Sequence, residues 1–126
     1  MLHHLSFGVT DLMRSAAFYD ATLSALGCVR VWADLSAVGY GDPGGGDKFA
    51  IKLQSAGIVV PGPGFHIAFA APSREAVAQF HEQALRHGGK DNGAPGLRPD
   101  YGEHYYAAFV ADPDGYRIEA VINEPV

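Results

Sequence analysis

Shifted by 62 residues, one 24-residue stretch of the chain lies over another without a gap. HLSFGVTDLMRSAAFYDATLSALG, from His4, aligns with HIAFAAPSREAVAQFHEQALRHGG, from His66. Six of the 24 positions are identical, pairing His4 with His66, Phe7 with Phe69, Ala16 with Ala78, Phe18 with Phe80, Leu23 with Leu85 and Gly27 with Gly89. A unit that occurs twice folds twice, so the repeat restricts the architecture more than any single motif does.

Each copy reads as a strand followed by a helix. Leu5, Phe7 and Val9 alternate with His4, Ser6 and Gly8, the period of a strand with one buried face. Leu12, Ala16, Tyr19, Leu23 and Leu26 then step by four and three, a helical stripe. Thr10 or Asp11 can cap that helix and Gly27 can end it. In the second copy Ser73 is the N-cap, Gly88 or Gly89 the stop, and Val77, Phe80, Ala84 and Leu85 the buried stripe. Strand candidates follow at Val29–Ala33, Ala37–Tyr40 and Lys48–Gln54 in the first half, and at Tyr105–Ala111 and Tyr116–Ile122 in the second, joined there by the turn DPDG. The polar DNGAPGLRPDYGE between them reads as a loop, with room for a short strand at its start. The pattern predicts two βαβββ units in one domain: a first module over about residues 1–57, a Pro/Gly-rich linker over about 58–64 and a second module over about 65–126.

Alternation also sorts the polar residues. Ile67, Phe69 and Ala71 belong under the helix, so His66 points the other way, as His4 does. Ile118, Ala120 and Ile122 alternate with Glu119, and Phe49, Ile51 and Leu53 with Lys52. Four strands thus send His4, Lys52, His66 and Glu119 to the face opposite the helices, although alternation does not set the height along each strand. Two imidazoles and a carboxylate make a 2-His-1-carboxylate metal set that leaves coordination positions open for a substrate.

Composition excludes several alternatives. The formal net charge is −5, which disfavours a nucleic-acid partner because phosphate binding needs a basic surface. No apolar run approaches the roughly 20 residues of a membrane span. The N-terminus lacks a basic segment followed by an apolar stretch, which predicts no signal peptide. A single cysteine, Cys28, excludes an internal disulfide framework and fits a reducing cytoplasm. The GGG of GDPGGGDK lacks the strand–helix context and the Lys-Ser/Thr of a phosphate loop, and reads as a hairpin connection.

The stretch from His4 to Tyr19, H-x-x-x-x-V-x-D-L with the following F-Y, and FVADPDGYRIEAV near the end resemble the vicinal oxygen chelate superfamily. That superfamily includes glyoxalase I, extradiol dioxygenases, fosfomycin-resistance proteins, methylmalonyl-CoA epimerase and bleomycin-resistance proteins. The resemblance covers nearly the whole chain. It implies an α+β fold of two βαβββ modules forming a bowl-shaped mixed sheet with the helices on its outer face. It implies ligands on the first and last strands of each module, which carries over to His4, Lys52, His66 and Glu119. Lys52 departs from the glyoxalase I pattern, which has a Glu there, so His4, His66 and Glu119 remain as the metal set, closer to the dioxygenases and fosfomycin-resistance proteins. The implied ion is Fe(II) or Mn(II), with Zn(II) and Ni(II) as alternatives. It would chelate adjacent oxygens of a small-molecule substrate for ring cleavage, epoxide opening or a lyase-type isomerisation. A homodimer is implied, with modules open to exchange between chains.

Other residues carry two readings each. The Lys52 ammonium either pairs with Glu119 in place of an ion or holds an anionic group of the substrate. His104 and Tyr105, at the start of a strand, either transfer protons or pack at the bowl edge. Trp32 and Tyr40 either form an apolar wall for a ring or belong to the core, and Tyr101 lies on a lip of the bowl. His3, His81 and His87 read as surface residues. The alternative function is a metal-free protein of the bleomycin-resistance type that sequesters a small aromatic or cationic molecule.

Overall fold

In β1 (Leu5–Val9) Phe7 and Val9 are buried and Ser6 is exposed, the alternation of a strand laid on a core. The chain then turns at Asp11, whose carboxylate accepts the N–H of Arg14 and starts α1 (Leu12–Ser24). Ser73, 62 residues later, does the same for α2 (Arg74–Arg86) by accepting from the N–H of Ala76. Gly27 and Gly88, with φ of +87° and +94°, lead the chain out of the two helices through the left-handed region. These elements belong to a computed structural model that describes residues 1–126. The rest are β2 (Val29–Ala33), β3 (Ala37–Gly41), β4 (Phe49–Leu53), β5 (Ile67–Ala70), β6 (Lys90–Leu97), β7 (Tyr105–Ala111) and β8 (Arg117–Asn123).

The fold is α+β, built from two βαβββ modules. Each makes a four-stranded mixed sheet, in the orders β1-β4-β3-β2 and β5-β8-β7-β6. The first and last strands of each module pair in parallel and the others antiparallel. β1 and β5 each keep one edge without a strand partner. No helix is long and apolar enough to cross a membrane.

The two modules share one core. Phe7 stacks on Tyr116 with centroids 4.1 Å apart and planes 7° from parallel, and Phe49 meets Phe69 edge-on at 5.3 Å. The DPDG turn closes over this seam. Asp112, 3 % exposed, accepts the Tyr19 hydroxyl on Oδ2 at 2.6 Å and the N–H groups of Asp114 and Tyr116 on Oδ1. Burial pushes the Asp112 carboxyl up, and burial together with the Asp112 charge pushes the Tyr19 phenol well above its ordinary value. Asp114 accepts from Thr10 and Arg14, and the Tyr116 hydroxyl donates to the Gly8 carbonyl.

Two expectations change. The segment from Lys90 is strand for eight residues, as β6, rather than mostly loop. Its composition is tolerated because β6 is an edge strand and its pairing with β7 shifts register between Gly93 and Gly96, where Pro95 owes no ladder N–H. Leu85 points to solvent instead of joining the α2 stripe, and Ala76 is buried in that helix. The buried face of α1 is also broader than its stripe. Ser15, Phe18 and Thr22 are buried as well, because α1 packs on α2 in addition to its own sheet. The Phe18 ring lies against Gly89 of the second module, where no Cβ would fit.

Candidate functional site

The strand register decides which polar residues of the open faces stand at one height. In the second module Ala68 pairs with Glu119, and in the first its repeat equivalent Ser6 pairs with Ala50. Ala50 therefore holds the place that Glu119 holds, and Lys52 lies two residues further, opposite Gly8 and Ala37. At about 3.3 Å per residue that is a displacement of roughly 6.6 Å along the strand. Lys52 shares the face of Glu119's counterpart, as alternation predicts, but not its level. Its ammonium makes no ion pair, and the Glu119 oxygen it was a candidate for is taken by His66.

Glu119 is the centre of the second module's open face. It is 1 % exposed, because β8 is a central strand flanked by β5 and β7. Both carboxylate oxygens are engaged. Oε1 lies 2.9 Å from Nε2 of His66, and Oε2 accepts the Tyr105 hydroxyl at 2.6 Å. Burial and the bond to Glu119 push the Tyr105 phenol up to about 12, so it keeps its proton and remains a donor across the ordinary pH range. An open cavity of about 490 Å³ lies over these groups, lined by His66, Asp100, Tyr101, Tyr105, Phe109 and Glu119. Tyr101 meets Tyr105 edge-on at 5.4 Å, and the rings of His66 and Phe109 are 6.3 Å apart.

Other candidates fall elsewhere. His4 is exposed one residue ahead of β1, its Nδ1 2.8 Å from Nδ1 of His3. The chain holds no cluster of three or more His, Cys, Asp or Glu side chains able to share an ion, so His4, His66 and Glu119 do not converge within one chain. His104 is half-buried beside Glu103, at 3.8 Å, outside the cavity lining. Trp32 does lie on the open face of the first module, against Gly39, where a Cβ would collide with the indole. Tyr40 is not beside it. Odd and even positions of β3 face opposite ways, so Tyr40 is buried on the helix side and donates to Asp20. Phe109 and Asp100 were not singled out in the sequence. Phe109 had a signal, since it alternates with Val110 and falls on the face of Tyr105; Asp100, in an irregular turn, had none.

Whether the pair suits a divalent ion can be tested on its own spacing. Two ligands of one ion, each at about 2.0–2.2 Å and at right angles, stand roughly 3 Å apart. The 2.9 Å between Nε2 of His66 and Oε1 of Glu119 fits that spacing. The same distance is that of a hydrogen bond, so the second module places two side chains together that can serve either as an ion's donors or as a bonded pair.

A family model described as the Glyoxalase/Bleomycin resistance protein/Dioxygenase superfamily matches residues 1–120. Among solved structures, a glyoxalase/bleomycin resistance protein from Albidiferax ferrireducens T118 is 36 % identical, with 94 % of each chain covered and a TM-score of 0.77. A glyoxalase-related enzyme from Fulvimarina pelagi shares the fold at 24 % identity, covering 95 % of this chain and 86 % of that one, with a TM-score of 0.70. No curated protein matches the chain. Two βαβββ modules, a family match over nearly the whole length and a relative above 30 % identity agree: the chain belongs to the glyoxalase/bleomycin resistance protein/dioxygenase superfamily.

Proposed function

We propose that this protein is a divalent-metal enzyme acting on a small molecule that presents two adjacent oxygens, and that its site works between two copies of the chain. The observation that carries this reading is the His66–Glu119 pair, spaced as two ligands of one ion and lying at the floor of a cavity. In this reading His4 of a second copy supplies the third ligand, and imidazole with carboxylate favours Fe(II) or Mn(II). The unpartnered edges of β1 and β5 support a second copy, since such edges are natural seams, and His4 is exposed at the start of β1. When bound, the ion would act as a Lewis acid on the substrate oxygens.

The chain's own residues prepare that site. Tyr105 donates to Oε2 of Glu119 and holds the carboxylate in one orientation. Phe109 and Tyr101 form an aromatic side of the cavity. Trp32 and Lys52, on the first module's open face, would supply the opposite wall and a free ammonium from the second copy. Ala50 in place of a second carboxylate counts against a glyoxalase-type proton shuttle, and favours ring cleavage with O₂ or epoxide opening.

The test is metal content per chain after purification without chelator and reconstitution with Mn(II), Fe(II), Zn(II) or Ni(II). His66→Ala and Glu119→Gln are each expected to weaken Mn(II) binding about a hundredfold. Mixed His4→Ala and Glu119→Gln chains, each defective alone, should recover one site in each mixed dimer. No recovery defeats the two-copy site. Less than roughly a tenth of an ion per wild-type chain defeats the metal reading. The second reading, metal-free sequestration of a small molecule, draws on the fact that both Glu119 oxygens already have partners within the chain.

A further inference from the structure

Arg98 lies over the Phe109 ring, its guanidinium carbon 5.4 Å from the centroid. Phe109 pairs with Glu119 across the strands and lines the same cavity. The guanidinium is not itself part of the cavity lining; it sits at the edge of the cavity, one ring away through Phe109. Three of the chain's arginines are neutralised by carboxylates: Arg14 by Asp114, Arg30 by Asp20 and Arg86 by Glu82. Arg98 has no carboxylate partner. It donates from Nη2 to the Ala94 carbonyl at 2.6 Å and from Nη1 to the Leu97 carbonyl at 3.4 Å. Those bonds orient the fork and leave Nε–H and one hydrogen on each terminal nitrogen without a protein acceptor.

The strand is shaped around this side chain. A Cβ at Gly93 would stand 3.0 Å from the Phe109 ring and 3.3 Å from Nη2, and one at Gly96 would stand 3.1 Å from Nη1. Gly93 also has φ of +149°, which other residues rarely adopt. Two glycines thus clear a bed in which a planar cation rests against an aromatic face. A cation held by neutral carbonyls, on a chain of net charge −5, is kept from internal neutralisation and available to an external anion. The other charged groups nearby are Asp100, which lines the cavity, Glu119, which His66 and Tyr105 occupy, and Arg117, which shares the face of Glu119 by alternation and makes no ion pair.

We propose that Arg98 is a specificity-determining residue that receives the carboxylate of a flat, ring-bearing acid lying on Phe109, and hence that the substrate class is aromatic or unsaturated carboxylic acids. The ring stacks beside Phe109 and Tyr101, and the carboxylate turns toward Arg98 and away from Asp100. The inference rests on the second module's open face being the substrate site, and it does not require the ion.

The test compares benzoate with its neutral isostere benzamide, titrated into the full chain as purified and again with EDTA, and followed by amide chemical shifts. The wild type should bind benzoate about tenfold more tightly than benzamide. Arg98→Gln should remove that preference and leave benzamide unchanged. Arg98→Lys, which keeps the charge without the fork, should retain part of it. Arg117→Gln should have little effect. The proposal is overturned if benzoate binds no better than benzamide to the wild type, if Arg98→Gln weakens both ligands equally, or if Arg117→Gln rather than Arg98→Gln abolishes the preference. Persistence of the preference in EDTA separates this outcome from failure of the metal reading.

Discussion

The two modules have the same skeleton and different open faces. Opposite Ser6 the first carries Ala50; opposite Ala68 the second carries Glu119. His4 is exposed and meets His3, whereas His66 is bound to Glu119. The first module presents an indole on a bare glycine and an unpaired ammonium, while the second presents a buried carboxylate with two partners. The helix-side residues of the two units pack against each other across the seam and so belong to one core. The open faces share His4 and His66 but differ at Ala50 and Glu119, so the two halves present different chemistry.

The helix side gives the largest test of that contrast. Phe18 and Phe80 are repeat equivalents and both are fully buried. Phe18→Ala and Phe80→Ala should each cost about 3–5 kcal/mol in chemical denaturation. Losses that differ by more than about 2 kcal/mol would break the symmetry of the core.

A smaller test converts one open face into the other. Ala50→Glu places a carboxylate where the second module has one, and should tighten Mn(II) about tenfold if the first module of a second copy closes over His66 and Glu119. Lys52→Glu, two residues along, should not. Equal effects from the two would show that height on β4 is irrelevant to the ion.

The smallest concerns Tyr105. Its phenolate absorbance should rise near pH 12. A raised phenol favours the folded state below its unfolded value of about 10, and that contribution disappears as pH climbs through about 12. Glu119→Gln should bring the titration only part of the way back, because burial is the larger cause and remains. An unchanged titration in that variant would remove the Glu119 bond as a contributor.

Much of this was legible before any fold was known. Ser73 announced the second helix start, the first was narrowed to Thr10 or Asp11 and falls to Asp11, and alternation put His66, Glu119 and Lys52 on the open face where the register has them. Lys52 failed on height, since the second module is longer between its helix and its last strand and the repeat offset no longer applies there. Of the two readings of Tyr40 the structure takes the core one; no sequence signal marked which face of β3 would meet α1. β6 was hidden because an edge strand can be built from Gly and Pro where its register breaks. Arg98 carried no pattern at all: its neighbours Gly93, Gly96 and Phe109 come from two strands.

The sequence by itself determined the duplicated βαβββ plan, the caps of both helices and the polar set of the open faces, because these depend on periodicity and on contacts a few residues apart. Only the tertiary structure decided that Glu119 meets His66 and Tyr105, that Ala50 stands in its place in the other half, and that His4 stays apart. Those facts depend on register between strands far apart in the chain, which is set by packing of the two modules over one core rather than by any local preference.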